Sequence, residues 1–148
     1  KEKDRYLLRD VIIKESIEWA VASVDHAEID QINILRASFK AMHLALDQLK
    51  EKPGLILVDG NRFTPYPWTP HQTIVKGDSI YASIAAASIL DKTFRDDHMM
   101  ALHNKYPQYD WKQNKGYPTE FHRRAIIKFG LSPFHRLSFH TKSPDEEE

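Results

Sequence analysis

Cysteine is absent from this 148-residue chain, which excludes disulfides and every metal site built on thiolates. Long apolar runs are absent too. None approaches the roughly 18 residues that a membrane span needs, and the charged start Lys1-Glu2-Lys3-Asp4-Arg5 is not followed by a signal-type apolar stretch. A cytoplasmic protein with no membrane association is the expectation. An excess of one charge is also missing, with 21 basic against 21 acidic residues. Nucleic-acid binders usually carry a basic excess, because phosphate contacts release counterions. Here the acidic tail Pro144-Asp145-Glu146-Glu147-Glu148 supplies part of the balance, and without it the body is slightly basic. Charge therefore neither supports nor rejects nucleic acid as a partner.

What is present is ordinary for a globular domain, with 41% hydrophobic residues. One domain over residues 1–140 is expected, followed by a disordered acidic tail over 141–148. Apolar spacing predicts a helix from Arg5 to about Ser16, and a domain seldom opens inside such a charged amphipathic helix. Glu18 to Val24 reads as a strand. Asp25 caps a short helix through Ile32, and Asn33 caps another from Ile34 to Leu49 that Pro53-Gly54 terminates. The run Leu55-Ile56-Leu57-Val58 predicts a strand buried on both faces. Gln72 to Val75 is a second short strand, and a helix is expected from Ser79 to His103. Trp111 to Gly116 reads as irregular, and a last helix from Thr119 to Phe129 ends at Gly130. Strands separated by helices indicate an α/β domain, although three strands are few for so much helix.

Asp59 stands where the apolar strand exits, beside Gly60, and ligands of open α/β sheets gather at the carboxyl ends of strands. Asp59-Gly60 reads equally well as a plain turn. Asp78 stands past the second strand beside Gly77, and capping of the long helix is an alternative role for it. Antiparallel strands would put the two aspartates well over 10 Å apart, at about 3.3 Å per residue. Parallel strands would bring both to one edge. Residues 60–71 are long enough for a parallel crossover, which needs about a dozen residues, and parallel pairing is favoured. Two carboxylates without cysteine or a histidine cluster suit Mg²⁺ or Mn²⁺. Two such ions, about 4 Å apart, promote phosphodiester cleavage, normally with more than two carboxylates. Asp91, Asp96 and Asp97 read as solvated helix charges, with Lys92 a partner for Asp96 at i,i+4.

A second constellation is Lys112-Gln113-Asn114-Lys115-Gly116-Tyr117-Pro118-Thr119. Lysine suits phosphate, Gly116 permits close approach, and a tyrosine face suits a sugar or base where RNA is told from DNA by its 2′-OH. Taken alone, the residues favour a surface loop with a half-buried tyrosine. The eight histidines lack ligand spacing. His98 and His103 are five apart and lie on different helix faces. His122 and His135 each precede an arginine, and all are read as structural.

In order along the chain, these segments resemble the ribonuclease HII family. The residues that carry the resemblance are Ala27 to Leu35, Leu57-Val58-Asp59-Gly60-Asn61-Arg62, Val75-Lys76-Gly77-Asp78, Ser83 to Leu90 with Lys92 and Arg95-Asp96, Lys115 to Thr119, and Pro133 to Phe139. The resemblance implies a ribonuclease H-like α/β fold, with a mixed central sheet flanked by helices and lacking its first strands in this chain. It implies an endoribonuclease that hydrolyses RNA in RNA/DNA hybrids and incises 5′ of single ribonucleotides in duplex DNA, using two divalent ions, Mg²⁺ or Mn²⁺. By matched position, Asp59 and Asp78 are two of four metal-site carboxylates, with Asp59 a direct ligand and Asp78 a ligand or a base behind the ligands. Tyr117 matches the tyrosine that recognises the RNA–DNA junction. Lys115, Gly116, Lys76 and Arg62 are the further candidates for substrate contact, and the complete enzyme is expected to be a monomer.

Departures accompany the resemblance. The family's opening strand with its Asp-Glu pair, its glycine-rich motif and its Asn-Asp-Ser-Lys segment are not in this sequence. Ile80 stands where the family often has lysine, and Asp91 where a small residue is usual. The expectation is an N-terminally incomplete chain that is inactive alone and whose Leu55–Val58 strand has an unpaired, aggregation-prone flank. The rival reading is a non-catalytic nucleic-acid-binding module, or half of a complementing pair.

Overall fold

A computed structural model describes residues 1–138. The acidic tail and Phe139 of the last motif lie outside the described residues. The elements run α1 (Glu2–Glu15), α2 (His26–Ile32), α3 (Ile34–Asp47), β1 (Ile56–Asp59), β2 (His71–Ile74), a 3-10 turn (Gly77–Ser79), α4 (Ala82–Lys105), a second 3-10 turn (Pro107–Tyr109), α5 (Trp111–Asn114) and α6 (Glu120–Phe129).

Local chemistry accounts for most boundaries. The Asp25 carboxylate accepts the Glu28 N–H at 2.8 Å, the Asn33 side chain accepts the Arg36 N–H at 3.1 Å, and the Thr119 hydroxyl accepts the His122 N–H at 3.3 Å. Each cap satisfies a first-turn donor that no helix can satisfy internally. Pro107 and Gly130 follow the ends of α4 and α6.

Strands β1 and β2 pair in parallel, with Ile56 opposite His71 and Asp59 opposite Ile74. The Gly60 N–H extends the ladder to the Ile74 carbonyl at 2.9 Å. Ile56 and Val58 are buried against Tyr66, Leu46 and Phe63, whereas Leu57 on the other face is only partly covered. The expected burial on both faces is thus met on one. Among the described residues the sheet has these two strands alone, so a mixed sheet is not what this chain forms.

Glu18 to Val24 has no regular secondary structure and joins no ladder, which corrects its reading as a strand. Its anchors are side-chain contacts. Glu18 Oε2 accepts the Lys50 N–H at 2.8 Å, Gln48 Nε2 donates to the Val21 carbonyl at 3.3 Å, and Trp19 packs on Phe94 at 5.6 Å between ring centroids. Residues 111–114 form a helical turn rather than irregular chain.

Helix α1 buries no residue fully and is held on α4 largely by polar contacts. Tyr6 donates to Asp97 Oδ1 at 2.8 Å, and Arg9 bonds Asp97 Oδ2 at 2.5 Å while its guanidinium lies 3.9 Å from the Phe94 ring centroid. Arg5 pairs with Asp96 at 3.6 Å. Burial, then the bond to Asp97, pushes the Tyr6 hydroxyl up to about 12, and the Arg9 bond holds the Asp97 carboxyl below its usual value. Of the aspartates expected to be solvated, Asp96 and Asp97 are therefore interhelical partners, whereas Asp91 is exposed. Asp96 is buried and faces Arg5 and Lys115 instead of Lys92.

The second core joins Leu102, Tyr109, Trp111 and Ala125, and His122 and His135 pack on it. The ring of His135 lies 4.7 Å from that of Tyr109 and 5.3 Å from that of Trp111, and its Nε2 is 3.0 Å from His122 Nε2. Burial, then the neighbouring His122, lowers His135 to about 4. Asp30 ties down the segment beyond, accepting the Leu137 N–H at 2.7 Å, the Ser138 N–H at 3.0 Å and the Ser138 hydroxyl. The Ser138 hydroxyl bond is the main reason its carboxyl lies below the usual value.

Gly77 shows why a β-carbon is excluded at the sheet edge. One placed there would lie 2.6 Å from Ile84 Cδ1 and 3.4 Å from Ile74 Cβ, and Ile84 is buried. Gly77→Ala is expected to cost roughly 1–3 kcal/mol through overpacking, measured by urea unfolding. Adding Ile84→Val should recover part of that loss, giving a double-mutant cost below the sum of the singles. His135 gives a pH prediction. The unfolded ring takes up its proton near 6.5, whereas the folded ring resists until about 4. The unfolded state therefore binds more protons within that window, and stability falls as pH drops through it. The Tm should decline from pH 6.5 to 4 and do so less steeply in His135→Gln, as followed by thermal melts across that range.

Candidate active site and substrate loop

The parallel register carries Asp59 to the carboxyl edge of the sheet, level with the end of β2. The chain leaving β2 turns at Lys76, whose φ of 56° is left-handed, and enters the 3-10 turn at Gly77. The Gly77 N–H donates to Asp59 Oδ1 at 2.9 Å. One carboxylate oxygen thus bonds the residue immediately before Asp78, which brings both sequence-identified aspartates to one edge. Both are exposed.

Asp78 is not the cap of the long helix. It lies within the 3-10 turn, and α4 begins four residues later, at Ala82 behind Tyr81, which makes no side-chain cap bond. The Gly77 carbonyl instead accepts the N–H groups of Ile80 at 3.0 Å and Tyr81 at 2.8 Å. The Asp78 side chain is left without capping work. Lys76 is exposed in the same turn, and Arg62 is exposed just beyond Asp59.

Two exposed carboxylates at a strand edge are hard oxygen donors of the type Mg²⁺ and Mn²⁺ prefer. Among the described residues no group of three or more acidic or histidine side chains could enclose an ion. Asp59 and Asp78 therefore fit part of a divalent-metal shell and do not complete one.

The substrate-loop candidates follow α5 and lie against Arg95 and Met99 of α4. Lys115 and Gly116 have consecutive positive φ values of 52° and 86°, a conformation that costs a non-glycine residue about 1–2 kcal/mol. Buried Asn114 holds it. Its Nδ2 donates to the Tyr109 carbonyl at 2.7 Å, its Oδ1 accepts the Gly116 N–H at 2.9 Å, and its carbonyl accepts the Tyr117 N–H at 2.8 Å. A β-carbon on Gly116 would approach Met99 Cε to 3.3 Å.

Tyr117 is 61% exposed, more than the half-buried ring expected. The Arg95 guanidinium lies 5.3 Å from its ring centroid and donates to the Lys115 carbonyl at 3.3 Å. The Lys115 ammonium is 3.7 Å from Glu2 and 3.9 Å from Asp96, beyond hydrogen-bonding distance and close enough for electrostatic attraction. Sequence reading named Asn114 only within the Lys112–Thr119 constellation, Arg95 only within the long-helix motif, and His122 and His135 only as structural residues, and it missed the contacts that join them to the Tyr117 loop.

The family model described as Ribonuclease HII matches residues 1–142. The chain is similar to the Ribonuclease HII of Bacteroides thetaiotaomicron, at 61% identity over 138 residues that make up 93% of this chain and 69% of that protein. It is 56% identical to the Ribonuclease HII of Phocaeicola vulgatus over 146 residues, 99% of this chain and 73% of that one. The crystal structure of the ribonuclease H2 from Pyrococcus horikoshii OT3 shares the fold, with a TM-score of 0.79 at 24% identity over 95% of this chain and 74% of that chain. No helix among the described residues is long and apolar enough to cross a membrane. The match over residues 1–142 and these relatives establish that the chain belongs to the ribonuclease HII family of endoribonucleases.

Proposed function

We propose that this sequence serves hydrolysis of RNA in RNA/DNA hybrids and incision 5′ of single ribonucleotides in duplex DNA. Asp59 is a direct ligand of a divalent ion, and Asp78 is a second ligand or a base behind it. The observation that carries the reading is the Gly77–Asp59 hydrogen bond of 2.9 Å at the parallel strand edge, because it joins the two aspartate motifs through residues 18 apart in sequence. Two divalent ions, when bound, supply charge neutralisation at the scissile phosphate and a more acidic attacking water. Asp59 orients through its bond to Gly77, so the ligand direction is set before metal arrives.

Lys76 and Arg62 flank that edge and contact phosphate oxygens of the substrate strands. Lys115 joins them by exchanging its loose attractions to Glu2 and Asp96 for phosphate. Gly116 lets the backbone approach the sugar, and the exposed Tyr117 ring reads the junction between ribose and deoxyribose. Arg95 steadies that ring from behind through its cation–π contact.

The same donor set bears on this 148-residue chain alone. Two carboxylates at the edge are too few to hold two ions tightly, so the chain alone is proposed to be inactive. A cleavage assay on a ribonucleotide-containing duplex with Mg²⁺ or Mn²⁺ should detect no metal-dependent incision. Strong incision that Asp59→Asn abolishes would overturn the inactivity while keeping Asp59 at the site. Millimolar Mn²⁺ should broaden the NMR signals around Asp59 and Asp78, and the double variant Asp59→Asn, Asp78→Asn should lose that broadening. Broadening centred elsewhere would reject the site.

A further inference from the structure

We infer that His122 and His135 form a one-way hydrogen-bond relay that holds the Tyr117 carbonyl, making them positioning residues for the substrate loop. The direction follows from donor and acceptor chemistry. The backbone N–H of Ser132 donates to His135 Nδ1 at 2.9 Å, and a backbone amide can only donate. His135 Nδ1 therefore carries a lone pair, and the neutral ring keeps its proton on Nε2. That Nε2 lies 3.0 Å from His122 Nε2, which must then accept. The remaining proton of His122 sits on Nδ1, 3.1 Å from the Tyr117 carbonyl, a group that can only accept.

One arrangement satisfies these contacts: Ser132 N–H to His135, His135 to His122, His122 to Tyr117; the Ser132 hydroxyl, 2.8 Å from the same His135 Nδ1, then also donates to it while accepting the Phe134 N–H at 3.2 Å. A proton added to His122 would set N–H against N–H across the 3.0 Å gap, and one added to His135 would set Nδ1–H against the Ser132 N–H. Burial disfavours a charge on His135, and the lowering of that ring to about 4 agrees with the geometry. The ring planes are fixed independently, since Tyr109 and Trp111 pack on both histidines.

The far end of the relay gives it a role beyond packing. The Tyr117 carbonyl also accepts the Thr119 N–H at 2.8 Å, so the His122 bond is its second. Together with the Asn114 clasp it fixes the backbone on both sides of the Tyr117 ring. The ring itself is exposed and free to meet a ligand. The importance for substrate rests on the reading of Tyr117 given above, whereas the relay itself does not.

Histidine-selective ¹⁵N NMR on the 148-residue chain at neutral pH tests the direction. The expected result is His135 protonated at Nε2 and His122 at Nδ1, and any other tautomer pair overturns the relay. This arm needs no variant to fold. The role is tested with His135→Phe and His135→Gln, the latter carrying an amide donor in place of the ring Nε2–H. His135→Phe should release the tautomer preference of His122, shift the Tyr117 carbonyl ¹³C resonance and weaken binding of an RNA/DNA hybrid by about fivefold, the size of one net hydrogen bond. His135→Gln should restore all three. An unchanged Tyr117 carbonyl signal in folded His135→Phe, or no recovery of that signal in folded His135→Gln, overturns the positioning role. Tyr117→Ala separates the two readings: if it leaves hybrid binding unchanged, Tyr117 is not the substrate contact, and the tautomer and carbonyl signals still decide the relay.

Discussion

The hydrogen bond from the Gly77 N–H to Asp59 is the constraint around which the sheet edge is organised. It forms because β1 and β2 run parallel, so both strands deliver their exits to the same side. It also depends on Gly77 having no β-carbon, since Ile84 at the start of α4 fills that space. Strand pairing, helix docking and carboxylate orientation thus converge on one amide. A change in any of the three would move the Asp59 carboxylate, which helps explain why an exposed residue can keep a defined direction.

The second half of the molecule solves a different problem. Two consecutive left-handed residues, Lys115 and Gly116, present Tyr117 outward, and such a bend does not hold itself. The supports come from polar groups, buried Asn114 on one side, buried His122 and half-buried His135 on the other. Buried amides and imidazoles are costly unless paired, and here each is paired through to a backbone group. The aromatic core of Tyr109 and Trp111 therefore serves as the bed for a loop whose Tyr117 ring is exposed.

Much of this was legible in the residues, and the limits have physical causes. The caps at Asp25, Asn33 and Thr119 were readable because a short polar side chain before an apolar period has one dominant use. Parallel pairing was readable from the length of the Gly60–His71 connection. The Glu18–Val24 segment was misread because β-branched and aromatic residues report an extended, half-buried chain, not a hydrogen-bonded neighbour. The capping of the long helix weighed as an alternative role for Asp78 is removed by the 3-10 turn at Gly77. The His122–His135 pair could not be read at all, since it joins residues 13 apart through ring nitrogens whose meeting depends on the bend at Ser132. The placement of both aspartates at one edge followed from pairing direction, whereas their shared hydrogen bond needed the turn geometry.

The attachment of α1 to α4 completes the physical account. Helix α1 has no fully buried residue, so hydrophobic burial contributes less there than in either core. Its contacts are Tyr6 and Arg9 to Asp97 and Arg5 to Asp96. Exposed ion pairs are individually worth about 0–1 kcal/mol, but Asp96 is buried and would be left uncompensated without Arg5 and Lys115. The pairing therefore acts less as a clamp than as a condition on where α1 can lie. Because Lys115 shares Asp96 with Arg5, that condition extends to the Tyr117 loop. A phosphate that drew Lys115 away would leave Asp96 more dependent on Arg5, coupling substrate contact at the loop to the seating of α1.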